Sequence, residues 1–194
     1  MRVGIFGGSF NPPHTAHLIV AEWVRDAEAF DRVLWMPAAH PPHKPDAALV
    51  SAEHRLAMTR LATRDHPAFA VSDLEIRRGG VSFTIDTVRA LQTAHPADTF
   101  ALILGGDSLR DFGSWRAPDA ILARVPLVVY DRPGADRSGV PERFLERTRF
   151  VKAPLLEISG TTIRARLRAG RSIRYLVPEA VRAYIETHGL YRSE

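Results

Sequence analysis

At 194 residues, with 45% hydrophobic and 25% charged side chains, the chain has the composition of an ordinary globular protein and the length to bury a core. It contains no cysteine, which excludes disulfides, thiolate nucleophiles and cysteine-bound metals, and no apolar run reaches membrane-spanning length. Its 26 basic and 22 acidic residues are interspersed, so the net charge of +4 suits a cleft for anions and gives no footing for a nucleic-acid partner.

The first predicted element is a strand over 2–6, an apolar run that meets Gly7 and Gly8. Ser9, Phe10, Asn11 and two prolines follow, and His14 and His17 bracket the start of a helix over 15–29. Glycines let backbone approach a phosphate, and a helix N-terminus offers free N–H groups to an anion. Two imidazoles in the same turn add further donors. The arrangement suits a triphosphate, although it is neither the dinucleotide fingerprint nor the P-loop. His14 and His17, or His40 and His43, could also hold a metal; without cysteines or neighbouring carboxylates no protein metal site is expected.

Further strands are predicted at 32–36, 68–72, 99–104 and 125–130, with a short one at 154–157. Helices are predicted at 51–64, 84–94, 107–112, 117–124, 161–169 and 178–187. The Pro- and Gly-rich segments 37–50 and 131–142 are expected to be loops. Alternating apolar strands and helices indicate an α/β fold: one Rossmann-like, doubly wound parallel sheet with helices on both faces, spanning 1–194 as a single domain. Ligands in such sheets sit outside the carboxyl ends of the strands, where strand order switches. Two strands end in paired glycines, Gly7–Gly8 and Gly105–Gly106. They are expected to flank one crevice.

The segment ISGTTIRARLRAG, 158–170, reads as a second anion cradle. Ser159 or Thr161 suits a helix cap and Gly170 a stop. Arg164 falls in the first helical turn, where a cation opposes the helix dipole unless an anion is bound.

Together, G-G-S-F-N-P-P-H-x-x-H early and I-S-G-T-T-I-R late resemble the nucleotidylyltransferase superfamily, with its early [HT]-x-G-H and late [IV]-S-[ST]-[ST]-x-[IV]-R. MPAAHPPHK (36–44), the His54–Arg55 pair, VSFT (81–84), GGDSL (105–109), Trp115 and DRPG (131–134) are similar to the bacterial nicotinate-nucleotide adenylyltransferase family in order and spacing. Ala16, Gly160 and Phe83 depart from the pattern, standing where Gly, Ser or Ala, and Tyr are common.

The resemblance implies a cytoplasmic enzyme of NAD biosynthesis, a monomer or small homo-oligomer. It would join ATP to nicotinate mononucleotide, giving deamido-NAD and pyrophosphate, with Mg²⁺ carried on ATP. It implies His14, His17 and Arg164 as the catalytic residues. Gly7, Gly8, Ser9, Phe10, Gly105, Asp107, Arg132, Ile158, Ser159 and Thr161 would bind ATP. His43, Lys44, Thr84 and Trp115 would bind the mononucleotide, and no protein side chain would be a resident metal ligand. Alternatives are a nicotinamide-mononucleotide or phosphopantetheine adenylyltransferase, or a nucleotide sensor without turnover.

Overall fold

Strand β1 (Arg2–Gly8) is apolar because both of its faces are covered. Val3 and Ile5 point into one core cluster and Phe6 into another on the opposite face. The computed structural model describes residues 1–41, 49–131, 137–154 and 156–192. Five more strands flank β1: β2 (Arg32–Pro37), β3 (Phe69–Val71), β4 (Thr99–Gly105), β5 (Leu127–Asp131) and β6 (Thr148–Lys152). The order is β3-β2-β1-β4-β5-β6, and every pairing is parallel. This is the doubly wound α/β sheet expected from the sequence.

The helices are α1 (Thr15–Ala27), α2 (Ala52–Thr63), α3 (Leu74–Arg78), α4 (Thr84–Ala94), α5 (Gly106–Asp111), α6 (Pro118–Leu122), α7 (Glu142–Leu145), α8 (Gly160–Arg168) and α9 (Glu179–Thr187), with a 3₁₀ turn at Phe112–Ser114. Leu102 and Leu104 of β4 and Leu127 and Val129 of β5 pack with α4 and α6 through Val88, Leu91 and Ile121. Ala101, Ile103 and Val128 face the other way, towards Val20, Ala21 and Val24 of α1. A third cluster joins Met58 of α2, Ile163 of α8 and Val181 and Ile185 of α9. Among the described residues no helix is long and apolar enough to cross a membrane.

Strand order switches between β1 and β4, which pair Phe6 with Ile103. The two glycine-ended strands are therefore neighbours, as expected. The short strand expected at 154–157 is replaced by β6 at Thr148–Lys152. As an edge strand it is covered incompletely, so exposed Arg149 and Lys152 interrupt the apolar pattern that marks the inner strands. Helices α3 and α7 were not expected either; each is too short to show an apolar period. The helix expected at 107–112 is α5 continued by the 3₁₀ turn, and part of the expected loop at 131–142 is the end of β5 and the start of α7.

Candidate active site

At the mouth of β1 the chain turns and enters α1 through His14, the N-cap. The imidazoles of His14 and His17 stack with centroids 3.5 Å apart and planes 22° apart. The His14 backbone N–H donates to His17 Nδ1 at 3.2 Å. With Nδ1 accepting, neutral His17 carries its proton on Nε2. The edges of Phe6 and Phe10 wall its ring at centroid distances of 6.1 and 5.3 Å. His14 is only 6% exposed, and its Nδ1 is buried with no hydrogen-bond partner among the described residues. Burial lowers its pKa from the ordinary 6.5 to about 4, so the ring is neutral at pH 7. Ala16, where the family has glycine, is buried within the first turn of α1.

The second cradle meets the first directly. Ser159 caps α8, accepting the Thr162 backbone N–H at 3.1 Å, and its hydroxyl lies 2.9 Å from that of Thr162. Arg164 donates from Nη1 to the Asn11 carbonyl at 2.8 Å and from Nη2 to the Thr161 hydroxyl at 3.3 Å. Among the described residues it has no carboxylate partner. Partial burial lowers its pKa. Gly160 explains the close approach: a Cβ there would lie 2.9 Å from the Asn11 carbonyl oxygen and 3.1 Å from Arg164 Nη1. Ile158 is half-buried against the third cluster.

Beneath both cradles lies Arg55 of α2, 1% exposed. Its guanidinium donates to the carbonyls of Val50 (3.1 Å), Ser9 (3.1 Å), Ala38 (2.5 Å) and Ala39 (2.8 Å). It thus ties the exit of β1 to the exit of β2. The sequence marked His54–Arg55 only as a landmark; nothing local signals four carbonyl partners. Asn11 is buried as well.

Beyond Gly7 and Gly8 a cavity of about 730 Å³ opens between the ends of β1 and β4. Gly7, Gly8, Ser9 and Gly105 line it on the strand side, and Phe83, Thr84 and Trp115 line it on the helix side. A Cβ at Gly7 would meet nothing within 4 Å, so the backbone there is open to a ligand. Phe10 is fully buried with its ring against Gly8 and its backbone in the left-handed region at φ 46°. Thr84 is the first residue of α4. Trp115 is half-buried, its ring 5.3 Å from Phe112, so it both packs on the core and faces the cavity. Phe83 carries the Arg116 guanidinium 4.6 Å above its ring.

Two carboxylates in this region were given no role from the sequence, Glu75 passing unmarked and Asp131 appearing only as the first residue of the DRPG landmark. Glu75 of α3 lines the cavity and accepts the Thr87 hydroxyl at 2.6 Å; burial pushes its pKa up. Asp131, at the end of β5, lies where a Cβ on Gly106 would be 2.6 Å from its carboxylate oxygen. Asp107, by contrast, is exposed, pairs with Arg110 on its own helix and does not line the cavity. His43, Lys44 and Arg132 lie outside the described residues. Among the described residues no three His, Asp or Glu side chains gather as a metal-holding group.

Comparison with known proteins agrees in family and fold. The cytidylyltransferase-like family model matches residues 5–166. A relative from Salinibacter ruber, named nicotinate-nucleotide adenylyltransferase, is 59% identical over 99% of this chain and 98% of its own. One of the same name from Geobacter sulfurreducens is 46% identical over the full length of both. Among solved structures, the Plasmodium falciparum nicotinic acid mononucleotide adenylyltransferase complexed with NaAD superposes with a TM-score of 0.80 at 21% identity, covering 98% of this chain and 97% of that one. The same enzyme complexed with APC gives a TM-score of 0.78 at 20% identity, covering 98% and 96%. By its family model and its full-length relatives, the chain belongs to the cytidylyltransferase-like family, and within it to the nicotinate-nucleotide adenylyltransferases.

Proposed function

We propose that this chain transfers AMP from ATP to nicotinate mononucleotide, giving nicotinate adenine dinucleotide and pyrophosphate, as a step of NAD biosynthesis. The observation that carries the reading is the stacked His14–His17 pair at the switch point between β1 and β4, with Arg164 bonded to the Asn11 carbonyl in the turn that leads into it. Relatives that share this function by name align along the whole chain. Residues 1–194 are read as one nucleotidyltransferase domain, cytoplasmic, acting as a monomer or small homo-oligomer without nucleic-acid or membrane partners.

The acceptor 5′-phosphate attacks the α-phosphorus of ATP, and the bond to the bridging oxygen of pyrophosphate breaks. The nucleophile is already ionised at neutral pH, so no general base and no covalent enzyme intermediate are required. Alignment and neutralisation of charge therefore carry the catalysis. His17, with its proton on Nε2, donates to the α-phosphate as charge builds there. His14 donates from its buried ring to the triphosphate, which gives its unpartnered nitrogen an anion to face. Arg164 and the Ser159 and Thr161 hydroxyls hold the β- and γ-phosphates, with Gly7, Gly8, Ser9 and Phe10 forming the floor and Ile158 the rim.

Nucleotidyltransferases of this kind generally use a divalent metal with ATP; we assign Mg²⁺, arriving on the triphosphate as part of the substrate and offsetting part of its charge. Gly105, Asp107 and Arg132 are assigned to the ATP nucleoside. Trp115 stacks on the pyridine ring, and the N–H groups at Thr84 receive the nicotinate carboxylate. His43 and Lys44 reach the mononucleotide phosphate.

The test is pyrophosphate release from ATP and Mg²⁺ with nicotinate mononucleotide, nicotinamide mononucleotide or phosphopantetheine offered separately. Fast release with the nicotinate form alone is expected. Equal release with the amide would remove the carboxylate-recognition argument. Release only with phosphopantetheine would replace the acceptor, and none with any acceptor would favour a nucleotide sensor.

A further inference from the structure

Tyr191 lies beyond α9, 180 residues from Asn11, yet its hydroxyl donates to Asn11 Oδ1 at 2.8 Å. The route is set by the end of α9. Gly189 takes a left-handed φ of 60°, and the Leu190 N–H bonds back to the Ile185 carbonyl at 3.0 Å, reversing the chain. Leu190 then enters the third core cluster, and Tyr191, itself at a left-handed φ of 65°, turns towards the exit of β1. The cost of a positive φ on a non-glycine residue argues that the surrounding contacts hold it there.

Asn11 is the junction. Its side-chain oxygen accepts from Tyr191 and, at 3.3 Å, from the Val50 N–H, while its backbone carbonyl accepts Arg164. Arg55 holds the neighbouring Ser9 carbonyl and the Val50 carbonyl. The Tyr191 phenol also lies within electrostatic reach of both guanidinium groups. The Tyr191 hydroxyl, with the Val50 N–H, thus holds the side chain of the residue whose backbone carbonyl receives one arm of the Arg164 guanidinium.

We propose that Tyr191 is a positioning residue for the triphosphate side of the site: through Asn11 it sets where Arg164 presents its guanidinium. This rests on the assignment of Arg164 to the triphosphate. In this role Tyr191 acts through Asn11 and Arg164.

The test is Tyr191→Phe, which keeps the ring and removes the hydroxyl, with Tyr184→Phe as the control. Tyr184 also lies in the α9 region, but its hydroxyl bonds His54 at 2.9 Å and not Asn11. ATP affinity is titrated calorimetrically without any mononucleotide, and KM is measured for each substrate. Tyr191→Phe is expected to weaken ATP about three- to tenfold, the loss of one neutral hydrogen bond. The mononucleotide KM should stay unchanged, and so should ATP binding by Tyr184→Phe. In an Arg164→Ala background the Tyr191→Phe effect should vanish. Unchanged ATP affinity, equal loss for both substrates, the same loss in Tyr184→Phe, or full additivity with Arg164→Ala would overturn the proposal. Because the ATP titration needs no acceptor, a wild-type chain that binds ATP but does not use nicotinate mononucleotide would refute the proposed acceptor and leave this test intact.

Discussion

The wall of the site built by His14, His17 and Arg164, which lie beside the cavity and not among its lining residues, is held by hydrogen bonds between charged or polar side chains and backbone, whereas the cavity wall built by Phe83, Thr84 and Trp115 is held largely by apolar packing. On the first wall, Arg55 of α2 and Arg164 of α8 converge on the backbone carbonyls of Ser9, Ala38, Ala39 and Asn11, and Tyr191, beyond α9, bonds the Asn11 side chain. On the second, aromatic faces and the start of α4 bound a roomy cavity. Triphosphate binding needs fixed donors at fixed points, so one misplaced donor costs affinity or rate. A pyridine ring needs a flat apolar face and a few polar groups, which packing supplies.

Arg55→Leu should break the first wall most completely. It leaves four carbonyls without their donor, those of Ala38 and Ala39 buried and those of Ser9 and Val50 partly so, and unfolding stability should drop by about 3–5 kcal/mol in urea titrations. A loss under 1 kcal/mol would mean that water or other donors replace the guanidinium.

His17→Ala sharpens the contrast between binding and catalysis. Turnover should fall by roughly 100- to 1000-fold while ATP affinity changes far less, because the donor acts on charge that develops in the transition state. Equal losses in both would reduce His17 to a ground-state contact.

The buried His14 predicts a pH effect on stability. Its pKa is about 4 in the folded chain against 6.5 when unfolded, so below pH 6.5 the unfolded state takes up the proton first. Stability is therefore lost as pH falls from about 6.5 through about 4, by at most about 3 kcal/mol. His14→Gln should flatten that part of the stability–pH curve. An unflattened curve would place the acid sensitivity in other groups. Adding a triphosphate should raise the His14 pKa, read by NMR, since a nearby anion favours the imidazolium.

How much of this was legible in the sequence follows from how local each feature is. β1, α1 and the histidine pair occupy one continuous run, so the apolar strand, the glycines and the helix cap could be read together. The adjacency of Gly7–Gly8 and Gly105–Gly106 followed from the rules of parallel sheets. Ser159 and Arg164 were legible because a cation in a first helical turn is locally unfavourable. Arg55 and Tyr191 were not. A buried arginine bonded to carbonyls up to 46 residues away, and a tyrosine reaching 180 residues back, leave no periodic or local trace. Glu75 was missed for a related reason: charged residues are ordinarily exposed, and its burial and its bond to the Thr87 hydroxyl arise only from tertiary packing. The tight space at Gly160 likewise depends on Asn11, which lies at the other end of the chain.

The central claim is that the two walls serve two different substrates. The most direct measurement is KM for ATP and for nicotinate mononucleotide in Arg164→Ala and Trp115→Ala, side by side. Arg164→Ala should raise the ATP KM roughly 10- to 100-fold and leave the mononucleotide KM unchanged, as expected for lost charged hydrogen bonds. Trp115→Ala should do the reverse, raising the mononucleotide KM about tenfold through lost stacking and leaving ATP unchanged. Each variant shifting both constants alike, or the two effects exchanged, would contradict the division.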